Sequence, residues 1–435
     1  MTRNLRGIGA TLAAVALVAA GCGGGSDDGP AAGSLDGETV NVMGVWSGAE
    51  QESFKKVLSA FEEKTGAEVN YQSAGDDIAT VLGTQIEGGK PPDVAVLPQP
   101  GLLRDLAGKD ALKPVNKDVE GAVTENYADV WKELGTVDGK LYGVWWKAAN
   151  KSLMWYNTQA FTDAGVSEPK TWDDLKSTAS TLSDSGVAPL SVGGADGWTL
   201  TDWFENVYLQ VAGPEMYDKL STHEIKWTDP TVVETLEVLG DLWGGANTIP
   251  GGPKNALQVK FEQSVINVFS DNPKAAMVYE GDFVGGVIGA ETSAKVGDTA
   301  KFFRFPEVKA GAGESVVGAG DVAVGLKDSK GGMGLLHYLA TPEAAEIWAA
   351  EGGFVSPNKN VDTSKYADEP TRQIATAVVE SGNKFRFDLS DLQPAGFGAT
   401  VGKGMWKVLQ DFLGDPTSAK QTAKQLEVEA AKAYK

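Results

Sequence analysis

Strand-like and helix-like segments alternate near the start of this chain, and this alternation constrains the fold more than any other sequence feature. The residue patterns predict buried strands at 39–46, 68–73 and 92–98, with helices from about Glu50 and over 77–88 between them. A strand–helix–strand repeat of this kind builds a parallel sheet with helices on its faces. Ligands of such sheets bind beyond the carboxyl ends of the strands, so we expect a site there.

The first predicted helix shows the periodicity most clearly. Phe54, Val57, Leu58 and Phe61 recur at the spacing that places apolar side chains on one helix face. Gly66 follows this stripe at the position where a left-handed residue commonly ends a helix. The pattern therefore predicts an amphipathic helix that packs on the sheet and ends at this glycine.

The amino-terminal region predicts export and anchoring. Within residues 1–21, Arg3 and Arg6 precede an apolar run that is too short to span a bilayer, which is typical of a secretory signal peptide. The following cysteine, Cys22, lies in a sequence that resembles the lipobox of bacterial lipoproteins, where cleavage precedes the cysteine and its sulfur takes a diacylglycerol. Residues 22–38 are rich in glycine and predict a flexible tether. We expect a body that is lipid-anchored on the outer face of the membrane.

Composition narrows the function classes. The chain has 435 residues, enough for two or more domains, and a formal net charge of −21 that argues against a nucleic-acid partner. Two histidines and one cysteine leave little material for a transition-metal site. We expect no metal, no cofactor and a monomer.

The middle of the chain predicts a passage between two halves. Residues 141–157 form one long extended run whose polar middle, 147–152, suits a segment that crosses between lobes. A helix is predicted over 171–184, with Thr171 as its N-cap. Residues 198–245 are expected to be largely helical and are rich in aromatic side chains.

The remaining segments continue the mixed pattern. Strands are predicted at 275–281, 301–306 and 316–326. From Gly332 onwards the pattern predicts helices at 335–339, 343–350 and 404–413, and an amphipathic helix from Ala419. No internal repeat is evident in the sequence.

Several segments, taken in order, resemble a known family. The set consists of VWSGAEQESFKKVLSAFEEKTG, QIEGGKPPDVAVLPQPG, YGVWWKAANKSLMWYN, YEGDF and YLATPEAAEIWAAEGGFVSPNK. From about Thr39 to the carboxyl end, the chain is similar to the extracellular solute-binding proteins of ABC importers, in their carbohydrate-binding group. The resemblance implies a type II periplasmic-binding-protein-like α/β fold of two lobes joined by hinged crossovers, with a ligand cleft between them.

The resemblance also implies a domain division and a function. We expect lobe 1 to comprise 39–147 plus about 301–347, and lobe 2 to comprise 148–300 plus about 348–435. The protein would capture a mono- or oligosaccharide with high affinity outside the membrane, close its lobes and deliver the sugar to importer permease subunits. No catalytic residue is expected.

A sugar has flat apolar faces and a hydroxyl rim, so its site needs aromatic side chains together with fixed polar groups. Such residues cluster at the predicted loop positions, and the candidate ligand-binding residues are Trp46, Glu50, Asp77, Gln99, Trp146, Lys147, Trp198, Asp202, Trp203, Glu280, Asp282, Phe283 and Asp321. Replacement of Trp146 or Glu280 by alanine is expected to abolish binding while leaving the fold intact. The other tryptophans on apolar or helical patterns are expected in the core, namely Trp131, Trp155, Trp172, Trp227, Trp243 and Trp348.

Two alternatives stay open. Paired carboxylates such as Asp76 with Asp77, or Glu280 with Asp282, could serve a surface lipoprotein glycosidase. The same fold could also bind a polyol or another polar solute instead of a sugar.

Overall fold

The computed structural model describes residues 34–312, 315–380 and 385–435. The predicted signal peptide, residues 1–21, and the predicted anchor Cys22 lie outside the described residues, as does most of the tether. Within the described part of the chain, no helix combines the length and the apolarity needed to cross a membrane.

The first of two large sheets has six strands. They are β1 (Thr39–Gly44), β2 (Glu68–Ser73), β3 (Val94–Leu97), β6 (Gly143–Asn150), β11 (Val316–Gly325) and β12 (Phe385–Phe387). Their order is β12-β11-β3-β1-β2, and β6 pairs with β11 as well. β1 is parallel to both β2 and β3, which confirms the strand–helix–strand prediction.

The second sheet has four strands, and a short ribbon precedes it in the chain. The sheet consists of β7 (Leu153–Asn157), β8 (Ala188–Ser191), β9 (Ala275–Tyr279) and β10 (Ala300–Arg304), in the order β10-β7-β9-β8. β7 is antiparallel to β9 and β10, while β8 is parallel to β9. The ribbon pairs β4 (Thr136–Val137) with β5 (Lys140–Leu141).

Helices surround each sheet and complete two lobes. Around the first sheet, which with its helices forms lobe 1, lie α1 (Gly48–Thr65), α2 (Ile78–Glu87), α3 (Pro100–Gly108), α4 (Lys117–Asn126), α5 (Asp129–Leu134), α14 (Lys330–Leu339), α15 (Pro342–Ala349) and α16 (Glu369–Glu380). With the second sheet, in lobe 2, lie α6 (Thr158–Ala164), α7 (Trp172–Asp184), α8 (Trp198–Ala212), α9 (Pro214–Ser221), α10 (Pro230–Trp243), α11 (Pro253–Ala256), α12 (Phe261–Phe269), α13 (Val284–Glu291), α18 (Ala395–Gly398), α19 (Gly404–Gly414) and α20 (Ala419–Ala433).

Local sequence signals end and start these helices as predicted. Gly66 has a φ of 78° and donates its backbone N–H to the Glu62 carbonyl at 2.8 Å, which closes α1. At the start of α7, the Thr171 side chain accepts from the Asp174 backbone N–H, and the Asp174 carboxylate accepts from the Thr171 backbone. This reciprocal capping box fixes the helix start at the predicted residue.

The chain passes between the lobes three times. The first crossover, Lys151–Ser152, joins β6 to β7 in the way that the long extended run predicts. The second joins β10 to β11. The third, at Asp388, joins β12 to the short helix α17 (Leu389–Leu392), which packs against both α3 and α8.

The lobes also touch away from the crossovers. α13 of lobe 2 contacts α1 of lobe 1, and the apolar core around the first sheet continues into Val284, Val287 and Ile288. Gly353 has a φ of 64°, and a Cβ there would lie 2.5 Å from the Gly286 backbone nitrogen. Only a glycine permits this close approach of the two backbones.

Two parts of the predicted lobe boundaries are corrected by strand pairing. The segment 301–347 was assigned to lobe 1, but β10 at its start pairs with β7 in the second sheet. The segment 348–435 was assigned to lobe 2, but α16 packs on β6 and β12 pairs with β11 in the first sheet. Hydrophobic periodicity identifies a strand but does not identify its partner, so sequence alone could not place these elements.

Candidate ligand-binding site

A cavity of about 300 Å³ lies between the lobes at the carboxyl ends of β1 and β3 and beside the first crossover. We call it the cleft cavity; its lining residues are Val45, Trp46, Ser47, Ala49, Glu50, Gly75, Asp76, Ile78, Pro98, Gln99, Lys147, Ala149, Lys151, Asp196, Trp198, Lys260, Phe261, Glu262, Phe283, Val287, Ala319, Gly320, Asp321, Ser390, Asp391, Ala399 and Trp406. Both lobes and the crossovers contribute to it.

A charged group from lobe 1 forms one part of the lining. Lys147 on β6 lies directly opposite Asp321 on β11, and its ammonium hydrogen-bonds the Glu50 carboxylate at the start of α1. Burial alone would lower the pKa of Lys147, but the carboxylates of Glu50 and Asp321 outweigh burial and raise it. Burial raises the pKa of Asp321 to about 6, against the opposing effect of Lys147. The group is therefore an ion pair with a second acid close by, held by three different elements.

A second charged group lies at the crossovers. The Lys151 ammonium is 3.0 Å from Asp202 Oδ1 on α8 and 2.7 Å from Asp388 Oδ2 at the third crossover. Burial would lower the pKa of Lys151, but the two carboxylates raise it well above its usual value. This lysine is therefore charged, and its charge is balanced by buried acids.

Aromatic rings from lobe 2 form part of the apolar lining. Trp198, Phe261 and Phe283 contact one another, with ring centroids 5.2 Å, 6.0 Å and 5.3 Å apart. The Lys151 ammonium lies 5.4 Å from the Trp198 ring, and the Lys147 ammonium lies 5.4 Å from the Phe283 ring. The two charged groups thus lie against the same aromatic cluster, where apolar and charged surfaces alternate.

Polar side chains of lobe 2 form part of the rim. The Phe261 backbone N–H donates to Asp196 Oδ2 at 2.6 Å, which fixes the start of α12 beside the cavity. Burial raises the pKa of Asp196, although the Phe261 N–H and Lys260 act in the opposite direction. Burial also raises the pKa of Glu262, which neighbouring carboxylates reinforce.

Two lining residues carry buried polar atoms without a protein partner. Among the described residues, Gln99 Oε1 and Trp406 Nε1 make no hydrogen bond. Leaving a buried polar atom without a partner costs about 1–3 kcal/mol, so such atoms are usually explained by a water, an ion or a ligand. Both residues offer polar groups near the cleft cavity.

The structure brings seven of the predicted site residues to the cavity lining. They are Trp46, Glu50, Gln99, Lys147, Trp198, Phe283 and Asp321. Trp46 is the least accessible of the tryptophans in this set, because its ring packs edge-on against Phe54 and Trp348 at 4.7 Å and 4.8 Å.

Two tryptophans that were expected to face the cleft lie in the core instead. Trp146 is 0% exposed and packs on Phe54 and Phe354, because successive side chains of a strand point to opposite faces and Lys147 takes the cavity face. Trp203 follows Trp198 by five residues on α8, which turns it away from the cavity. It contacts Tyr279 at 4.5 Å, in the core of lobe 2.

Four acidic residues expected at the site do not line the cavity. Asp202 is 0% exposed and bonds Lys151 from behind, while Glu280 is 1% exposed and lies within side-chain hydrogen-bonding reach of Asp202. Asp282 accepts the Asn150 backbone N–H at 2.5 Å and so holds the end of β6. Asp77 ends a short 3₁₀ turn and is exposed, and the neighbouring Asp76 lines the cavity.

Several lining residues were not predicted. Sequence reasoning passed over Lys151 although it lies in the polar middle of the extended run, where Lys147 was selected. Trp406 could have been predicted, because it follows a glycine-rich segment and other tryptophans beside glycines were predicted as ligand-binding residues. No sequence pattern marks Ser390 and Asp391 as site residues, because their place beside the cavity depends on the third crossover. The tryptophans expected in the core are all buried there: Trp131, Trp155, Trp172, Trp227, Trp243 and Trp348.

One set of carboxylates has oxygens close enough to hold a metal ion. The oxygens of Asp202, Glu205 and Asp388 lie within 4.8 Å of one another. The Lys151 ammonium already bonds two of these residues, and Glu205 accepts the backbone N–H groups of Leu389 and Ser390. The ammonium and the backbone N–H groups give all three carboxylates hydrogen-bond donors. The three carboxylates are therefore arranged around an ammonium group, and a metal ion is not needed to explain their proximity.

Comparison with known proteins identifies one family and several relatives that are binding proteins. The model of a family described as bacterial extracellular solute-binding protein matches residues 46–346. The osmoprotective compounds-binding protein GgtB of Synechocystis sp. is 33% identical over 387 residues, which cover 88% of this chain and 90% of GgtB. The alpha-glucosides-binding periplasmic protein AglE of Rhizobium meliloti is 36% identical over 401 residues, covering 88% of this chain and 85% of AglE.

Solved structures share the fold at lower identity. A chitin oligosaccharide binding protein aligns with a TM-score of 0.78 and 21% identity over 91% of this chain and 98% of its own. The bacterial solute receptor AcbH, described as preferring β-D-galactopyranose, aligns with a TM-score of 0.79 and 20% identity over 92% and 100%. These likenesses confirm the two-lobed type II architecture.

Proposed function

This chain belongs to the bacterial extracellular solute-binding protein family, and on that premise we propose that it captures a neutral sugar in the cleft cavity and delivers it to an ABC-type importer. The observation that carries the proposal is the lining of the cavity. Charged hydrogen-bonding groups from both lobes and the crossovers surround one aromatic cluster in a cavity of about 300 Å³.

The lining matches the two surfaces of a sugar. The Trp198–Phe261–Phe283 cluster offers apolar rings to the C–H faces of a pyranose. Glu50, Asp321 and Lys147 offer charge-assisted hydrogen bonds, which compete well with water for hydroxyl groups.

Charge balance favours a neutral ligand. Three lysines line the cavity, and two of them have carboxylate partners: Lys147 bonds Glu50, and Lys151 bonds Asp202 and Asp388. The remaining lining includes more acids than lysines. A phosphorylated or acidic sugar would meet repulsion there that a neutral sugar avoids.

The names of the relatives support a glycoside as the ligand. AglE is named for alpha-glucosides and GgtB for osmoprotective compounds, and each is more than 30% identical to this chain over most of its length. We therefore place alpha-glucosides first among the candidate ligands, with a polyol or another polar osmoprotective compound as the second class.

Capture operates through the hinge. A ligand shifts the equilibrium between open and closed lobes only by its preference for the closed form, so it must contact both lobes. Glu50 and Lys147 of lobe 1 and Trp198 and Phe283 of lobe 2 meet that requirement. The closed form would then dock on the permease subunits.

We propose binding without turnover. A glycosidase needs two carboxyl groups flanking the scissile bond. Of the carboxylate pairs considered from sequence, Glu280 and Asp282 are buried behind the cavity, and only Asp76 of the other pair lines it. The glycosidase alternative is thus less well supported than binding.

Localisation completes the proposal. An extracellular solute-binding protein works outside the cytoplasmic membrane, and we propose that lipidated Cys22 and the tether 22–38 keep this monomer beside its importer. Metabolic labelling with a tagged fatty acid tests the anchor, since Cys22→Ser is expected to abolish the label and release the protein.

The ligand assignment is tested by calorimetric titration of the chain without residues 1–22 against alpha-glucosides, chitin oligosaccharides, a polyol and a sugar phosphate. Saturable one-to-one binding of a neutral carbohydrate is the expected result. Binding of the sugar phosphate alone, or of no member of the panel, would rule out the proposal. An assay for released reducing sugar in the same samples is expected to stay at background.

A further inference from the structure

Two residues at the crossovers lie in the cleft cavity and are used by no part of the function proposed so far. Lys151 belongs to the first crossover, and Asp391 lies in α17 just after the third. Both line the cavity, although each is almost completely buried.

The Lys151 ammonium has more hydrogen-bond donors than it uses in bonds to the protein. An ammonium carries three N–H donors. Among the described residues, its hydrogen bonds go to two side chains, Asp202 and Asp388. The same ammonium lies over the Trp198 ring at 5.4 Å, so its remaining donor is held beside the ring that would carry a sugar.

Asp391 has acceptor capacity to spare. Its backbone N–H donates to Asp388 Oδ1 at 2.9 Å, which fixes the turn. Within the described part of the chain, its carboxyl group makes no hydrogen bond to another residue, and the residue is only 7% exposed. Burial, reinforced by Asp388 and opposed by Lys151, raises the pKa of Asp391 well above its usual value. A buried carboxyl group in this position gains from a hydrogen-bond partner, because burying a polar group without one is costly.

The backbone around Asp391 is held rigidly. A Cβ on Gly101 of α3 would lie 2.0 Å from the Gln393 carbonyl oxygen and 2.9 Å from the Asp391 carbonyl oxygen. The Arg104 guanidinium also donates to the Leu392 carbonyl at 2.7 Å. Lobe 1 therefore clamps the segment that presents the Asp391 carboxylate.

We propose that Lys151 and Asp391 are specificity-determining residues that bind the ligand at the hinge, the ammonium donating to one hydroxyl and the Asp391 carboxyl group forming a hydrogen bond with another. This inference rests on the proposed function, since it assigns two further contacts to the same bound sugar. It requires a ligand with two hydroxyl groups near each other, as pyranoses and polyols have.

The pairing explains why a buried lysine lies at the crossovers. Asp202 and Asp388 orient the ammonium and balance its charge, so the donor is presented without attracting an anion. A ligand bound there contacts the segments that bend when the lobes move, as well as the lobes themselves.

The test uses the sugar that binds the wild-type chain most tightly in calorimetric titration. Asp391→Ala is the primary variant, because the carboxyl group bonds no protein group in the described structure and its removal is therefore expected to leave the fold intact. We expect the affinity to fall by about tenfold, which is the loss of roughly one hydrogen bond to a buried group. The melting temperature without sugar is expected to stay close to that of the wild type.

Asp93→Ala is the matched control. Asp93 is similarly buried, at 5% exposure, but lies at the amino end of β3, away from the cavity. It accepts from the Asn41 backbone and side chain, so its loss is expected to lower the melting temperature and leave the affinity unchanged.

A set of deoxy sugars separates a direct contact from an indirect effect. The analogue that lacks the hydroxyl bound by Asp391 is expected to lose affinity for the wild type but to bind Asp391→Ala as well as the parent sugar does. An Asp391→Ala affinity within twofold of the wild type would overturn the inference and leave the proposed function standing. A wild type that binds no sugar overturns the proposed function itself, and the inference with it.

Discussion

The Lys151 ammonium lies 2.7 Å from Asp388 Oδ2, so a side chain of the first crossover is bonded to the third crossover. The same ammonium reaches Asp202 on α8 of lobe 2. The Phe305 backbone N–H, directly after β10, donates to the Ser152 carbonyl at 2.9 Å, which joins the first crossover to the second. All three crossovers are thus tied together at one end of the cleft cavity.

This arrangement predicts that Lys151→Met destabilises the protein. The replacement keeps the length of the side chain but leaves Asp202 and Asp388 buried without their cation. Breaking a buried ion pair by removing one partner costs about 3–5 kcal/mol. The free energy of unfolding, measured by urea denaturation, is expected to fall by that amount.

Lys55→Met provides the comparison. Lys55 pairs with Glu52 at 2.8 Å on the exposed face of α1, and surface pairs contribute about 0–1 kcal/mol. Equal, small losses for the two lysine variants would contradict a structural role for the Lys151 bridge.

Trp198→Ala is expected to weaken sugar binding by about tenfold or more. Trp198 is half-buried at the cavity and contacts Phe261 and Phe283, so its removal takes away the centre of the aromatic cluster. Aromatic contacts contribute about 0.5–1.5 kcal/mol beyond the area that they bury. Calorimetric titration measures the affinity, and circular dichroism checks the fold. Trp203→Phe, in the core of lobe 2, is the control and should bind as the wild type does.

Trp146→Ala is expected to act on stability. The sequence predicted a binding residue whose loss leaves the fold intact, but Trp146 is completely buried between Phe54 and Phe354. Truncation of a buried tryptophan costs about 3–5 kcal/mol because it leaves a cavity. Denaturation by urea should show this loss, while the folded variant should keep its affinity at low temperature. A stable variant without affinity would restore the original expectation.

Glu280→Gln is expected to change how stability depends on pH. Burial, reinforced by Asp202, raises the pKa of Glu280 well above its usual value. Among the described residues, both of its carboxyl oxygens and Asp202 Oδ2 have no donor, which fits a proton shared by the two carboxyl groups. The folded state keeps this proton at a pH where the unfolded state releases it.

The sign follows from that difference. Stability due to the proton is complete below about pH 4, where the unfolded glutamate is also protonated, and is lost as the pH rises towards the raised pKa. Within this window, each unit of rise in pH lowers the free energy of unfolding of the wild type by about 1.4 kcal/mol. Glutamine does not titrate, so the variant should gain stability relative to the wild type between pH 5 and pH 8, measured by denaturation at both values. The surface variant Glu215→Gln is the control and should show no such gain. If the free energy of unfolding changed with pH in the same way for Glu280→Gln and for the wild type, the shared proton would be contradicted.

Local patterns predicted the fold well. The stripe of α1, the capping box of α7 and the long run across the first crossover are each read from neighbouring residues, and each is confirmed. Strand partners depend on contacts distant in the chain. For that reason β10 was assigned to the other lobe, and no strand was predicted where β12 lies.

The site was predictable in part for the same reason. Lys147 and Trp198 lie next to polar or glycine-rich segments that mark them in the sequence. Trp146 and Trp203 carry the same local signals, but strand alternation and helix rotation turn them into the core. Asp391 reaches the cavity only because the third crossover returns to it, and no local pattern contains that information.

The most direct measurement of the central claim is a crystal structure of the protein with the sugar that it binds most tightly. We predict one sugar in the cleft cavity, with a ring on Trp198, hydrogen bonds to the Glu50–Lys147–Asp321 group, and contacts with Lys151 and Asp391. Density for the sugar on the outer surface of one lobe, with the cleft cavity holding only water, would contradict the account.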